Sequence, residues 1–252
     1  MSGPKQSAIQ QAISQAKKAT KQGKIGVAVE IYTAILQQQP NQPFAKKQLR
    51  KLENSLPSNQ TKQTPTPNPP QDQVKALINL CSSGQLIKSE QICRELLQTY
   101  PQSLIVMNLL GGALSGQGKL KESIQVFDRA IQLKPDFTTA YNNRGSTLEQ
   151  LGQLDKAVQS YDKAIQLKPD YAEAYYNRGI ALTGQGKLDE ALQSYDKAIQ
   201  LKPDFAEAHS NLGNALMEEG NLNAAIESCK RAIQINPRYA EAHSNLGIVL
   251  QE

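Results

Sequence analysis

The chain is 252 residues long, enough for one or two domains with a sizeable core, yet only 39% of it is hydrophobic, with nine Tyr, four Phe and no Trp. Its core must be built from Ala, Leu and Ile, and its longest apolar runs, such as Leu104 to Met107, fall far short of the ~20 residues needed to cross a bilayer. That excludes membrane-spanning helices, and a polar Met1 to Gln11 without an apolar export signal places the chain in the cytoplasm. The formal charge of +5 conceals an asymmetry: residues 1–70 hold ten Lys/Arg against Glu30 and Glu53, whereas residues 71–252 hold eighteen against twenty-one acids.

Residues 1–56 read as a small basic helical segment. Ala8, Ile9, Ala12, Ile13, Ala16 and Ala19 form an i, i+3, i+4 stripe that Gly23 ends. Ala28, Tyr32, Ile35 and Leu36 form a second stripe ending at Pro40, and a third short helix, Phe44 to Leu52, would shield the pair. Lys17, Lys18, Lys21 and Lys24 cluster, as do Lys46, Lys47, Arg50 and Lys51, a pattern that invites a nucleic-acid reading. Only Tyr32 and Phe44 are aromatic there, and Tyr32 belongs to the apolar stripe, so no base-stacking platform is evident. A solvated helix face accounts better for basic residues 17–51 than nucleic acid does. Residues 57–70 contain five prolines and almost nothing apolar, the composition of an extended tether.

From residue 71 the sequence is periodic. Pro101, Pro135, Pro169, Pro203 and Pro237 stand 34 residues apart, and so do Gly84, Gly118, Gly152, Gly186 and Gly220, each seventeen residues upstream of its proline. The periods run about 71–102, 103–136, 137–170, 171–204 and 205–238, with a partial sixth over 239–252. Within one period, Phe137 to Leu151 carries a helical apolar pattern closed by Gly152, and a second helix follows from Asp155, its expected N-cap, to Pro169. Gly145, Ala157 and Ala164 are small where the helices face each other, so the spacing predicts a close antiparallel hairpin. A single hairpin cannot cover both of its apolar faces, and consecutive hairpins must stack.

This period, with Tyr141, Gly145, Leu148, Ala157, Tyr161, Ala164 and Pro169 in their relative places, resembles the tetratricopeptide repeat. The resemblance covers 71–252 and is weakest in the first copy, where Leu77 replaces the first Gly and Leu96 the last Ala; residues 1–56 look like a separate degenerate copy. It implies an all-α, right-handed superhelical solenoid of antiparallel helix hairpins. The first helices of the hairpins would line a concave face that binds peptides or partner proteins.

The residues offer no convincing catalytic, cofactor or metal site. His209 and His243 occupy the place of Tyr141 and Tyr175, a packing position, and equivalent points on stacked helices lie about 8–10 Å apart, too far to share a metal ion. Gly118-Lys119 and Gly186-Lys187 lack the rest of a phosphate loop and read as helix ends. Cys81, Cys93 and Cys229, an odd set without C-x-x-C spacing, read as reduced thiols, with Cys93 and Cys229 at a core position.

The informative polar residues are Asn143, Asn177, Asn211 and Asn245, each two positions before the first Gly of its repeat, where stacking would align them in a row. A carboxamide offers an acceptor and two donors to a peptide backbone, and at about 8–10 Å per repeat each Asn would meet about every third residue of an extended ligand. A similar asparagine ladder lines the superhelix of O-linked N-acetylglucosamine transferases. Glu173, Glu207 and Glu241, with Thr139, lie four residues before the asparagines and depart from the basic clamp by which other members of the family hold acidic chaperone tails. They favour a neutral or basic extended partner.

The reading is a non-enzymatic scaffold that holds protein or extended peptide on its concave face, with Leu246, Val249 and Leu250 at the end of the sixth repeat available for self-association. The alternative is the substrate-recognition part of a larger enzyme, because a basic helical segment, a Pro-rich tether and such repeats resemble the front of large bacterial proteins carrying a glycosyltransferase, sulfotransferase or oxygenase domain.

Overall fold

The computed structural model describes the backbone of residues 4–55 and 68–251, with side chains throughout except at 4–8, 38 and 53–55. Residues 57–67 of the expected tether and the side chain of Ala8 lie outside the described residues. Fourteen α-helices and no strands occur among the described residues, divided between two compact units, Met1–Pro65 and Thr66–Glu252.

The first unit holds α1 (Pro4–Lys21), α2 (Ile25–Gln38) and α3 (Pro43–Ser55). The apolar stripes meet as the periodicity requires, with Ala16, Ala28 and Ala45 fully buried around Tyr32 and Ile35. Gly23, at φ 71, takes the left-handed turn that lets the Lys24 N–H return to the Ala19 carbonyl.

The second unit is a run of hairpins. Its first-position or A helices are α4 (Gln71–Ser82), α6 (Leu104–Gly116), α8 (Thr138–Gln150), α10 (Ala172–Gly184), α12 (Ala206–Glu218) and α14 (Ala240–Val249). Its B helices are α5 (Leu86–Thr99), α7 (Leu120–Leu133), α9 (Leu154–Leu167), α11 (Leu188–Leu201) and α13 (Leu222–Ile235). Each hairpin turns on a glycine with positive φ; at Gly152 the angle is 74°, and the Gln153 N–H then bonds the Leu148 carbonyl at 2.9 Å. That closure starts α9 two residues earlier than the sequence suggests. Gln153 is the cap residue and Asp155 lies in the first turn, where its charge meets the helix N-terminus without capping it.

Close approach of the two helices explains the other recurrent glycine. A Cβ on Gly145 would sit 2.6 Å from the Tyr161 ring, and one on Gly179 would sit 2.5 Å from the Tyr195 ring. Both rings are buried and have no room to swing aside. Where Leu77 replaces this glycine, α4 packs more loosely on α5 than later A helices do on theirs.

Successive A helices touch one another from α4 through α14, whereas successive B helices are held further apart. The stack therefore curves with the A helices on its inner side. Arginines reinforce the stacking: Arg144 of α8 bonds Asp128 of α7 at 2.8 Å and Ser160 of α9 at 3.0 Å, and Arg178 of α10 bonds Asp162 at 2.7 Å and Ser194 at 2.7 Å.

One polar feature departs from the repeat pattern. Glu90 of α5 stands where later B helices carry Ile124, Val158 and Leu192, and it is only 9% exposed. Lys119 at 2.7 Å, with Arg94 and Gln117, holds its carboxyl far below the ordinary 4.5, at about 2, against the opposing effect of burial. A carboxylate depressed in this way contributes stability that is full above its unfolded value and is lost as pH falls through about 2. Urea midpoints measured down a pH series should thus fall between about pH 4.5 and 2. Glu90→Gln should flatten that fall and cost about 1–2 kcal/mol at neutral pH.

Candidate functional site

The four predicted asparagines lie at equivalent positions on α8, α10, α12 and α14, each half-buried. Each donates one carboxamide N–H to the preceding A helix, to the residue 35 positions earlier. Asn143 bonds the Asn108 Oδ1 at 2.9 Å, Asn177 the Asn142 Oδ1 at 3.1 Å, Asn211 the Tyr176 Oη at 3.2 Å and Asn245 the Ser210 Oγ at 3.1 Å. Asn142 also donates to the Asn143 Oδ1 at 3.3 Å, so one relay of four carboxamides crosses α10, α8 and α6.

The relay was partly legible in the sequence, since Asn108, Asn142, Tyr176 and Ser210 all place an oxygen one residue before the row, but periodicity alone does not say that these oxygens accept. A carboxamide carries two N–H donors. Asn245 also donates to the Ser210 carbonyl at 3.4 Å, whereas the second donors of Asn143, Asn177 and Asn211, and the carboxamide oxygens of Asn177, Asn211 and Asn245, have no hydrogen-bonding partner among the described residues.

Glu173, Glu207 and Glu241 are exposed on the same side of α10, α12 and α14, and Thr139 is exposed at the matching place on α8. Their fields converge. Burial, then the charges of Glu207, Glu241 and Glu149, push the Tyr176 phenol up to about 12. Glu173 has Lys202 at 3.7 Å, a long pairing between half-exposed groups, and the Tyr239 hydroxyl donates to Glu241. Further toward α6 the acids give way to apolar groups. Leu104, Ile105 and Phe137, with Asn108 and Thr139, line an open recess of about 520 Å³, and Ile105, which occupies the place of the glutamates, is 38% exposed.

The remaining candidates take structural places. His209 and His243 each direct Nε2 to a proline carbonyl, Pro203 at 3.1 Å and Pro237 at 3.0 Å; since a carbonyl only accepts, Nε2 carries the proton. Burial lowers the His209 pKa. Cys93 and Cys229 are buried, and burial pushes the Cys93 thiol up to about 12. Gly118 and Gly186 turn hairpins at φ 75 and 73. Among the described residues no cluster of three or more His, Cys, Asp or Glu could hold a metal ion, and no helix is long and apolar enough to cross a membrane. In the first unit Lys17 lies 4.3 Å over the Phe44 ring and Tyr32 is buried, while Lys46, Lys47, Arg50 and Lys51 border an open recess with Leu36 and Leu49.

A curved stack of helix hairpins with a polar row along its inner helices defines an all-α repeat protein. The family model described as TPR repeat matches residues 113–152, 150–186, 181–220 and 213–252, more than half of the chain, and the chain belongs to that family. Solved structures share the fold. A thermophilic TPR protein from Thermus thermophilus, TTC0263, aligns at 19% identity and TM-score 0.63 over 72% of this chain and 99% of its own. MamA from Desulfovibrio magneticus RS-1 aligns at 22% identity and TM-score 0.56 over 67% and 97%. YrrB, described as a TPR protein with an unusual peptide-binding site, aligns at 23% identity and TM-score 0.54 over 68% and 89%. None of the curated proteins compared with the chain matches it.

Proposed function

We propose that the second unit is a non-enzymatic scaffold that holds an extended, neutral or basic segment of another protein along its A-helix face. The observation that carries this reading is the row formed by Asn143, Asn177, Asn211 and Asn245, which retains free donors and acceptors at one-repeat intervals after bonding the helices together. Such groups match a peptide backbone without reading its side chains, and Glu173, Glu207 and Glu241 beside them select against acidic chains. Of the residues expected to support self-association, Leu250 is 62% exposed and Leu246 half-buried, but Val249 is buried at 3% exposure and Ile248, 45% exposed, stands open instead, so a second contact through this end would use Ile248 and Leu250. The same face would serve as the substrate-recognition part of a larger glycosyltransferase or sulfotransferase if such a domain follows.

Peptides selected by phage display on the full chain provide the test. Asn177→Ala with Asn211→Ala is expected to weaken a selected peptide by about tenfold or more in titration calorimetry, because two to four hydrogen bonds are lost. The double variant should stay helical by circular dichroism yet lose about 1–2 kcal/mol of stability, since the buried Asn142 oxygen and the Tyr176 hydroxyl lose their donors. Unchanged affinity would remove the row as a binding site.

A further inference from the structure

The A-helix face is not uniform along its length. The position that carries Glu173, Glu207 and Glu241 on α10, α12 and α14 carries Thr139 on α8 and Ile105 on α6. The position of the asparagine row shows the same drift, with Leu109 standing on α6 where the later helices have Asn. The face therefore has an apolar end and an acidic end. At the apolar end the surface is indented, with the 520 Å³ recess bounded by Leu104, Ile105 and Phe137 together with the polar side chains of Asn68, Gln102, Asn108 and Thr139. Gly112, one turn along α6 from Asn108, has open space where a Cβ would stand. At the acidic end Glu207 has no ion pair among the described residues, and Glu173 has only the long contact to Lys202.

We propose that this face reads a bipartite segment: one large apolar side chain seated in the recess between α6 and α8, and Lys or Arg residues about four to ten positions away over the glutamates. The spacing follows from the stack. The recess lies one and a half repeats from Glu173 and three and a half from Glu241, at about 8–10 Å per repeat, while an extended chain advances ~3.3 Å per residue. Charge complementarity chooses the basic part, and burial of an exposed Ile105 chooses the apolar one. The asparagine row would hold the backbone between them. This proposal rests on peptide capture by the A-helix face and adds to it which side chains the peptide carries and how they are spaced.

Three short fluorescein-labelled peptides on one Ser/Gln/Ala background test it by fluorescence anisotropy with the full chain. The first carries a Leu and, at the stated spacing, three Lys, and is made with the Leu at either end. The second has Ser for the Leu; the third keeps the composition but sets the Leu among the lysines. One orientation of the first peptide should bind about tenfold more tightly than the second or third. Ile105→Ser, at an exposed position that leaves the fold intact by circular dichroism, should erase that advantage while retaining binding of the Leu-free peptide. Equal affinities for the three peptides, or an advantage that survives Ile105→Ser, would overturn the bipartite reading and leave capture of a basic chain standing. If none of them binds, both are overturned.

Discussion

Replacing Tyr161 with alanine is expected to remove about 3–5 kcal/mol of stability. Tyr161 is fully buried, and its ring fills the space beside Gly145 of its own A helix, against Leu148, Ala157 and, from the next repeat, Ala181. Its hydroxyl donates to Glu149 at 2.9 Å, a carboxyl that burial pushes up. The substitution thus empties one hairpin and loosens its joint with the following hairpin, and in a solenoid those are the two terms that set stability. Urea denaturation followed by circular dichroism should show the midpoint falling, with the transition broadening as the array splits on either side of α9. Tyr161→Phe keeps the ring and loses only the hydroxyl bond, so its cost should be about 1 kcal/mol. A loss for Tyr161→Ala no larger than that would show that the ring does not hold the hairpin together.

The largest expected effect on binding comes from reversing the acidic row. Glu173→Lys, Glu207→Lys and Glu241→Lys together should weaken a lysine-bearing peptide by about a hundredfold at low salt, because three attractions become three repulsions. The neutral triple variant with Gln should lose about tenfold. The three side chains are exposed and touch little beyond Lys202 and Tyr239, so the fold should be unchanged by circular dichroism. The sign of the salt dependence gives an independent reading. Added salt should weaken binding to the wild-type chain and strengthen it to the lysine variant. A lysine-bearing peptide that binds both proteins alike would show that it does not lie over these residues.

The repeat was readable because its determinants are local: a glycine where φ must be positive, a glycine where a ring presses on the backbone, and a proline where the second helix must stop. The positions of Asn143, Asn177, Asn211 and Asn245 along one side followed from the 34-residue period. What the period could not supply was the hydrogen bonding across repeats. Register 35 depends on how far one hairpin is rotated on the next, which no single helix encodes. For the same reason the Arg144–Asp128 and Arg178–Asp162 staples and the buried Glu90 cluster emerged only with the fold, since each joins residues from different hairpins. Asp155 was misplaced as a cap because the glycine turn bonds back to Leu148 and brings the helix start forward, an effect of chain closure that residue preference alone does not show.

The side-chain amide resonances of Asn143, Asn177, Asn211 and Asn245, followed by nuclear magnetic resonance as a selected peptide is added, test capture on the A-helix face most directly. These carboxamides should shift and saturate together with the peptide, while residues of the outer helices such as Lys121 and Lys156 stay still. Shifts confined to the outer helices, with the four carboxamides unmoved at saturation, would contradict it.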